Sequence, residues 1–166
     1  MGRRADHSHR KDLAGEHPFG DTGQLIFLIV FLVVWIGDSF ILRFSTFTAQ
    51  HVSLFLKLPV GVLSLCLAGY LAQQGMKIVF GEERTVPAVI AKGVFKLVRH
   101  PVYLGCILFY VGLVMFTFSL SSAVVCIAII GFYHHISKYE ERILLSKFGD
   151  KYKQYMESVP MWIPRL

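Results

Sequence analysis

The sequence predicts an all-α integral membrane protein: about four transmembrane helices, the last two a tight helical hairpin, followed by a C-terminal cytoplasmic amphipathic segment. Three observations predict it. Hydrophobic residues make up 54% of the 166 and charged residues only 17%, a balance that a water-soluble fold of this size has no interior to absorb. The apolar residues fall in runs of spanning length, and the basic residues collect between alternate runs, as a membrane orientation requires.

Residues 1–22 read as a polar tail with Gly15, Pro18 and Gly20, and 23–166 as a single domain. The tail is too polar for a signal-peptide core and is followed by a full-length run, so the first helix is expected to be retained. A span needs roughly 20 apolar residues. Leu25 to Phe44 qualifies, interrupted by Asp38 and closed by Arg43. An acid inside a span is a functional candidate; the alternative is a structural pairing with Arg43 or Lys57. Leu54 to Val79 also qualifies, with Pro59 as an expected kink. Tyr103 to Phe118 and Leu120 to Tyr133 are each short, and Ser119, Ser121 and Ser122 leave almost no loop between them, hence the hairpin. Ser137 to Glu157 is amphipathic, with Gly149 as a helix stop and a second short helix through Tyr152 and Tyr155 up to Pro160.

Arg3, Arg4, Arg10 and Lys11 lie before the first run; Lys92, Lys96 and Arg99 lie between the second and third; Lys138, Arg142 and Lys147 follow the fourth. Residues 45–53 and 117–122 hold no Lys or Arg. Four spans with both termini cytoplasmic satisfy this distribution. The net charge of +6 is therefore an orientation signal and not a nucleic-acid footprint, since no basic stripe with interleaved aromatics exists. Cys66, Cys106 and Cys126 sit inside apolar runs without paired spacing, which points to neither a disulfide nor a zinc site. His7, His9 and His17 do not make a metal site.

Two polar blocks flank the hairpin. The first is Arg99-His100-Pro101-Val102-Tyr103-Leu104-Gly105. Pro101 suits the first turn of a helix with His100 at its cap, leaving free backbone N–H groups at the mouth of the third span. The second is Glu140-Glu141, followed by Phe148-Gly149, Tyr152, Tyr155, Val159-Pro160 and Ile163-Pro164. The hairpin brings the blocks together. An Arg-His pair beside two carboxylates either neutralises itself or receives a cationic or hydroxyl-rich ligand.

In order and spacing the two blocks resemble the isoprenylcysteine carboxyl methyltransferase family of integral membrane enzymes, within the broader phospholipid methyltransferase group; the resemblance covers residues 60–166. It implies S-adenosylmethionine in a cytoplasmic pocket. By position, His100, Pro101, Val102, Tyr103 and Glu140 would line the cofactor, with Pro87, Ala88, Val89 and Ile90 as loop contacts and Phe95 where the family often has Tyr. Arg99, His134 and Glu141 are the candidates for catalytic roles. Methyl transfer from a sulfonium is an in-line displacement that needs alignment and a dry cavity, not a metal.

One position departs from the family. Its carboxyl methyltransferases carry an Arg four residues before the first Glu of the pair, where it addresses the substrate carboxylate; Ile136 stands here. The acceptor is then expected among lipophilic or small thiols, amines or phenols as well as carboxylates, with His134 or His135 as a base for the former. Membrane lipid is the expected surrounding partner. The competing readings are an NADPH-dependent sterol-type reductase, which shares an Arg-His-Pro-x-Tyr block, and a noncatalytic membrane scaffold.

Overall fold

The computed structural model describes residues 20–81 and 88–164, and every regular element among them is helical. Helix α1 spans Gly20–Ile36 and runs on into a π-type turn at Gly37–Leu42. A short 3₁₀ turn at Phe47–His51 leads to α2, Leu54–Phe80, with Pro59 inside it. A second 3₁₀ turn, Gly93–Lys96, precedes α3, Pro101–Thr117; α4 is Leu120–Phe148 and α5 is Asp150–Ser158. The stretch Gly20–Leu42, α2 and α4 are each long and apolar enough to cross a membrane, whereas α3 is apolar but shorter. Large side chains such as Val33, Phe55 and Ile127 point outward, more than nine-tenths exposed in the case of Phe55. Such a surface is stable only against lipid.

The α3–α4 turn is as tight as predicted. Phe118 takes a left-handed conformation (φ 51°), its N–H closing on the Val114 carbonyl at 2.7 Å, and Ser119 caps α4 by accepting from the Ser122 N–H at 3.1 Å. Helix α4 joins the apolar run that ends at Tyr133 and the amphipathic stretch from Ser137 in one unbroken helix to Phe148, because no residue between Tyr133 and Phe148 is a Gly or Pro. The stop comes at Gly149 (φ 54°), as predicted, and α5 starts at once.

Packing is closest between α2 and α3. Gly61, Ala68 and Gly75 on α2 are buried at intervals of seven, as are Gly105 and Gly112 on α3. A Cβ on Gly105 would stand 2.9 Å from the Ala68 carbonyl oxygen, and one on Gly112 2.8 Å from Leu65. Small residues let the two backbones approach, the usual basis of helix association where lipid removes the hydrophobic drive. Ser64 adds a hydrogen bond to the Leu108 carbonyl at 2.9 Å. On the other flank Phe31, wholly buried, packs with Tyr110, Ile129 and Tyr133 to join α1 to α3 and α4.

Asp38 meets neither Arg43 nor Lys57. Its carboxylate accepts from the Ser45 N–H at 2.8 Å and from the Ser45 and Ser119 hydroxyls, while Lys57 donates to the Ala49 carbonyl at 2.6 Å. The π-type turn places Asp38 on the inner side of its helix, where it ties the end of α1 to the start of α4. At the opposite end of the bundle lie the N-termini of α1 and α3, the C-terminal part of α2 and the polar half of α4.

Candidate functional site

Pro101 opens α3 and His100 is its N-cap residue, as the sequence indicated; the His100 side chain makes no cap bond. His100 points instead into α4. Its Nε2 is 3.4 Å from Glu141 Oε1 and its Nδ1 3.7 Å from Glu140 Oε2. The ring stacks on Tyr103, 5.9 Å between centroids and 7° between planes, with Trp162 on another side at 5.9 Å. Burial holds the His100 imidazole below its ordinary pKa of 6.5, against the opposing pull of Glu141, and keeps it neutral.

The two glutamates divide the work, because neighbours on a helix point about 100° apart. Glu141 faces inward. Its Oε1 accepts from Arg99 Nε at 2.7 Å, and Lys138 Nζ lies 3.6 Å from Oε2. Glu140 faces the helix mouth, where it accepts from the Tyr103 hydroxyl. Arg99 does more than pair with Glu141: its Nη1 donates to the Met156 and Val159 carbonyls at 2.8 and 2.9 Å, and its own N–H to the Pro160 carbonyl at 2.9 Å. One guanidinium thus fastens the end of α5 to α4. Tyr155 reinforces the join by donating to the Phe95 carbonyl at 2.7 Å, burial having pushed its phenol up to about 12 so that it stays a donor.

These groups enclose a cavity of about 450 Å³ whose walls include Phe95, Arg99, His100, Pro101, Val102, Tyr103 and Glu140. That volume suits a small-molecule ligand. Glu141 stands behind this wall rather than in it. His134 is exposed and outside it, its Nδ1 accepting from Trp162 Nε1 at 3.4 Å. Ala88, Val89 and Ile90 do not line it; Val89 packs instead on the Tyr152, Tyr155 and Val159 cluster. Pro87 lies outside the described residues. The remaining wall comes from Gly20, Asp21 and Gln24 of α1 and Met76, Val79 and Phe80 of α2, which the motifs did not indicate. The available signal was the pair Asp21 and Gln24, polar residues three apart on the opening turn of an otherwise apolar helix. Among the described residues no cluster suited to a metal ion exists.

Known proteins resemble this arrangement. The family model described as phospholipid methyltransferase matches residues 60–151. A protein-S-isoprenylcysteine O-methyltransferase from Schizosaccharomyces pombe is 29% identical over 133 residues, covering 74% of this chain and 56% of that protein. Methanethiol S-methyltransferase 1 from Bradyrhizobium diazoefficiens is 41% identical over 86 residues, covering 51% of this chain and 29% of that protein. The chain therefore spans about half, or less, of the length of these relatives. Among solved structures, the eukaryotic intramembrane Ras methyltransferase, an isoprenylcysteine carboxyl methyltransferase, shares the fold with a TM-score of 0.64 at 22% identity, over 86% of this chain and 52% of that one.

Proposed function

Because the chain belongs to the phospholipid methyltransferase family and is an integral, multi-pass membrane protein of the isoprenylcysteine methyltransferase type, we propose that it transfers a methyl group from S-adenosylmethionine to a lipophilic acceptor at the cytoplasmic membrane face. The observation that carries this reading is the cavity between the Arg99–Tyr103 block and Glu140.

The donor set of the cavity fits that cofactor. Glu140 and Asp21 are anionic groups for an ammonium or for ribose hydroxyls, and Phe95, Phe80 and Tyr103 offer ring faces to adenine or to a sulfonium. Bound S-adenosylmethionine would supply an electrophilic methyl group on sulfur. The protein's own part is alignment and exclusion of water. Arg99 acts through position, holding α5 and Pro160 against the site.

The acceptor is proposed to be an uncharged nucleophile, in the manner of a thiol, more readily than a carboxylate. Ile136 is buried to 1% exposure at the position where a carboxylate's partner would stand. The cavity residues would hold the acceptor heteroatom in line with the methyl group that bound S-adenosylmethionine would supply, its sulfur leaving as a neutral thioether. The acceptor's proton then needs a base. Neutral His100 and Glu140 line the cavity, and His134 does not.

Isothermal titration of the purified protein in lipid nanodiscs tests the reading. S-adenosylmethionine is expected to bind and NADPH not to; binding of NADPH alone would favour the reductase, and binding of neither would remove both enzyme readings.

A further inference from the structure

We propose that Gln24 is a positioning residue for the methyl acceptor, standing where the polar cavity meets a second, apolar cavity that receives the acceptor's nonpolar part; the proposal rests on the methyl-transfer reading above. The second cavity, about 740 Å³, lies among α1, α2, α3 and α4, with Leu25, Leu28, Ala72, Gly105, Phe109 and Tyr133 among its lining residues. Gln24 is in the wall of both cavities. One face of α1 carries the transition: Asp21, Gln24 and Leu28 lie three and then four residues apart, a single helical stripe. Asp21 lines only the polar cavity and Leu28 only the apolar one. The stripe passes from charged to amide to aliphatic at the point where a donor and an acceptor must meet.

The chemistry of the apolar cavity selects its occupant. No Lys, Arg, His, Asp or Glu is among its lining residues, so a charge on the part of the acceptor seated there would go without compensation. A neutral thiol on an alkyl chain meets no such cost. Its weakly acidic S–H can be held at the junction by the Gln24 amide oxygen, an acceptor in the wall of both cavities. Among the described residues that amide has no hydrogen-bond partner, so it is available to a ligand. Accepting the S–H would turn a sulfur lone pair toward the methyl group; on transfer, the proton passes to a cavity base as described above. Helix α1, which carries Gln24, lies before the matched family segment 60–151.

The test uses 1-octanethiol as acceptor and Gln24→Leu and Gln24→Asn variants of the full chain in nanodiscs. Isothermal titration should give S-adenosylmethionine affinities within about threefold of wild type, which also reports that the variants are folded. Radiolabelled methyl transfer should show kcat/KM for octanethiol lowered about tenfold to a hundredfold in Gln24→Leu, as for a misplaced reactant, with partial recovery in Gln24→Asn. Saturation-transfer NMR should show octyl methyl sulfide bound by wild type and weakened in Gln24→Leu. Wild-type binding of the cofactor with unchanged transfer in Gln24→Leu overturns the positioning role alone. Collapse of cofactor affinity in both variants assigns Gln24 to the donor side and overturns it too. Absence of cofactor binding by the wild type overturns the methyl-transfer reading and this proposal with it.

Discussion

Arg99 and Glu141, 42 residues apart in sequence, meet at 2.7 Å with side chains 9% and 3% exposed. A pair so placed is costly to break, because the surviving partner is left charged and dry; about 3–5 kcal/mol is expected. Arg99→Gln should therefore lower thermal stability strongly and expose the 150–164 segment to limited proteolysis. Arg99→Lys should recover part of the stability but not the protection, since an ammonium cannot reproduce the fork that also holds Met156 and Val159. Equal protease resistance in wild type and Arg99→Gln would contradict the fastening role.

Glu140 differs from its neighbour in facing the cavity. Glu140→Gln is expected to weaken S-adenosylmethionine binding about tenfold, or about 1.4 kcal/mol, with little change in melting temperature. Glu141→Gln should do the reverse, costing stability first. Titration calorimetry and thermal melts on the two single variants separate the cases.

The neutral, buried His100 gives a pH signature. Its folded pKa lies below the ordinary 6.5, so below that value the unfolded chain binds a proton that the folded chain resists. This contribution to stability is full above 6.5 and is lost as pH falls toward the lowered folded value. Melting temperature should drop between pH 7 and 5, and the drop should shrink in His100→Gln. An identical pH slope in that variant would show that other groups carry the dependence.

At the α2–α3 seam, Gly105→Ala places a methyl 2.9 Å from the Ala68 carbonyl oxygen. Backbone cannot give way as a side-chain tip can, so a loss of about 1–3 kcal/mol is expected. Gly131→Ala is the matched control, because a Cβ there meets nothing within 4 Å. Thermal melts of the two variants in one detergent should differ clearly.

At the far end, Asp38→Ala leaves the Ser45 and Ser119 hydroxyls without their shared acceptor. The hydroxyls keep Ser121 and Ser122 as partners, but the buried Ser45 N–H loses its acceptor, at a cost of about 1–3 kcal/mol. The loss should appear as lower thermal stability with cofactor affinity retained.

Much of this was legible because apolar runs and breakers act locally. Gly149 ends α4 and Pro101 begins α3 for reasons contained in the residues themselves. The junction of the Tyr103 and Glu140 blocks could also be anticipated, since a two-residue turn leaves the helices no other course. What escaped notice depended on neighbours. The division of labour between Glu140 and Glu141 is one such case, since adjacent carboxylates look alike until Arg99, His100 and Tyr103 are seen to receive them. Asp38 was matched to cations nearby in sequence, whereas a π-type turn rotates it toward serines. The α1 wall of the cavity lay beyond any motif, because Asp21 and Gln24 gain meaning only when Met76 and Phe80 stand opposite.

The glycine seam has a further consequence for where the chemistry sits in the bilayer. Helix α3, at 17 residues, is about 25 Å long, several ångströms short of a hydrocarbon layer of about 30 Å; α2, at 27 residues, is about 40 Å. A short helix alone would thin the membrane or slide to relieve the mismatch. Joined to α2 along Gly61, Ala68, Gly105 and Gly112, it can do neither independently. The helix carrying His100 and Tyr103 is moored to one long enough to span with length to spare, so their depth would follow α2's buoyancy, not their own helix's.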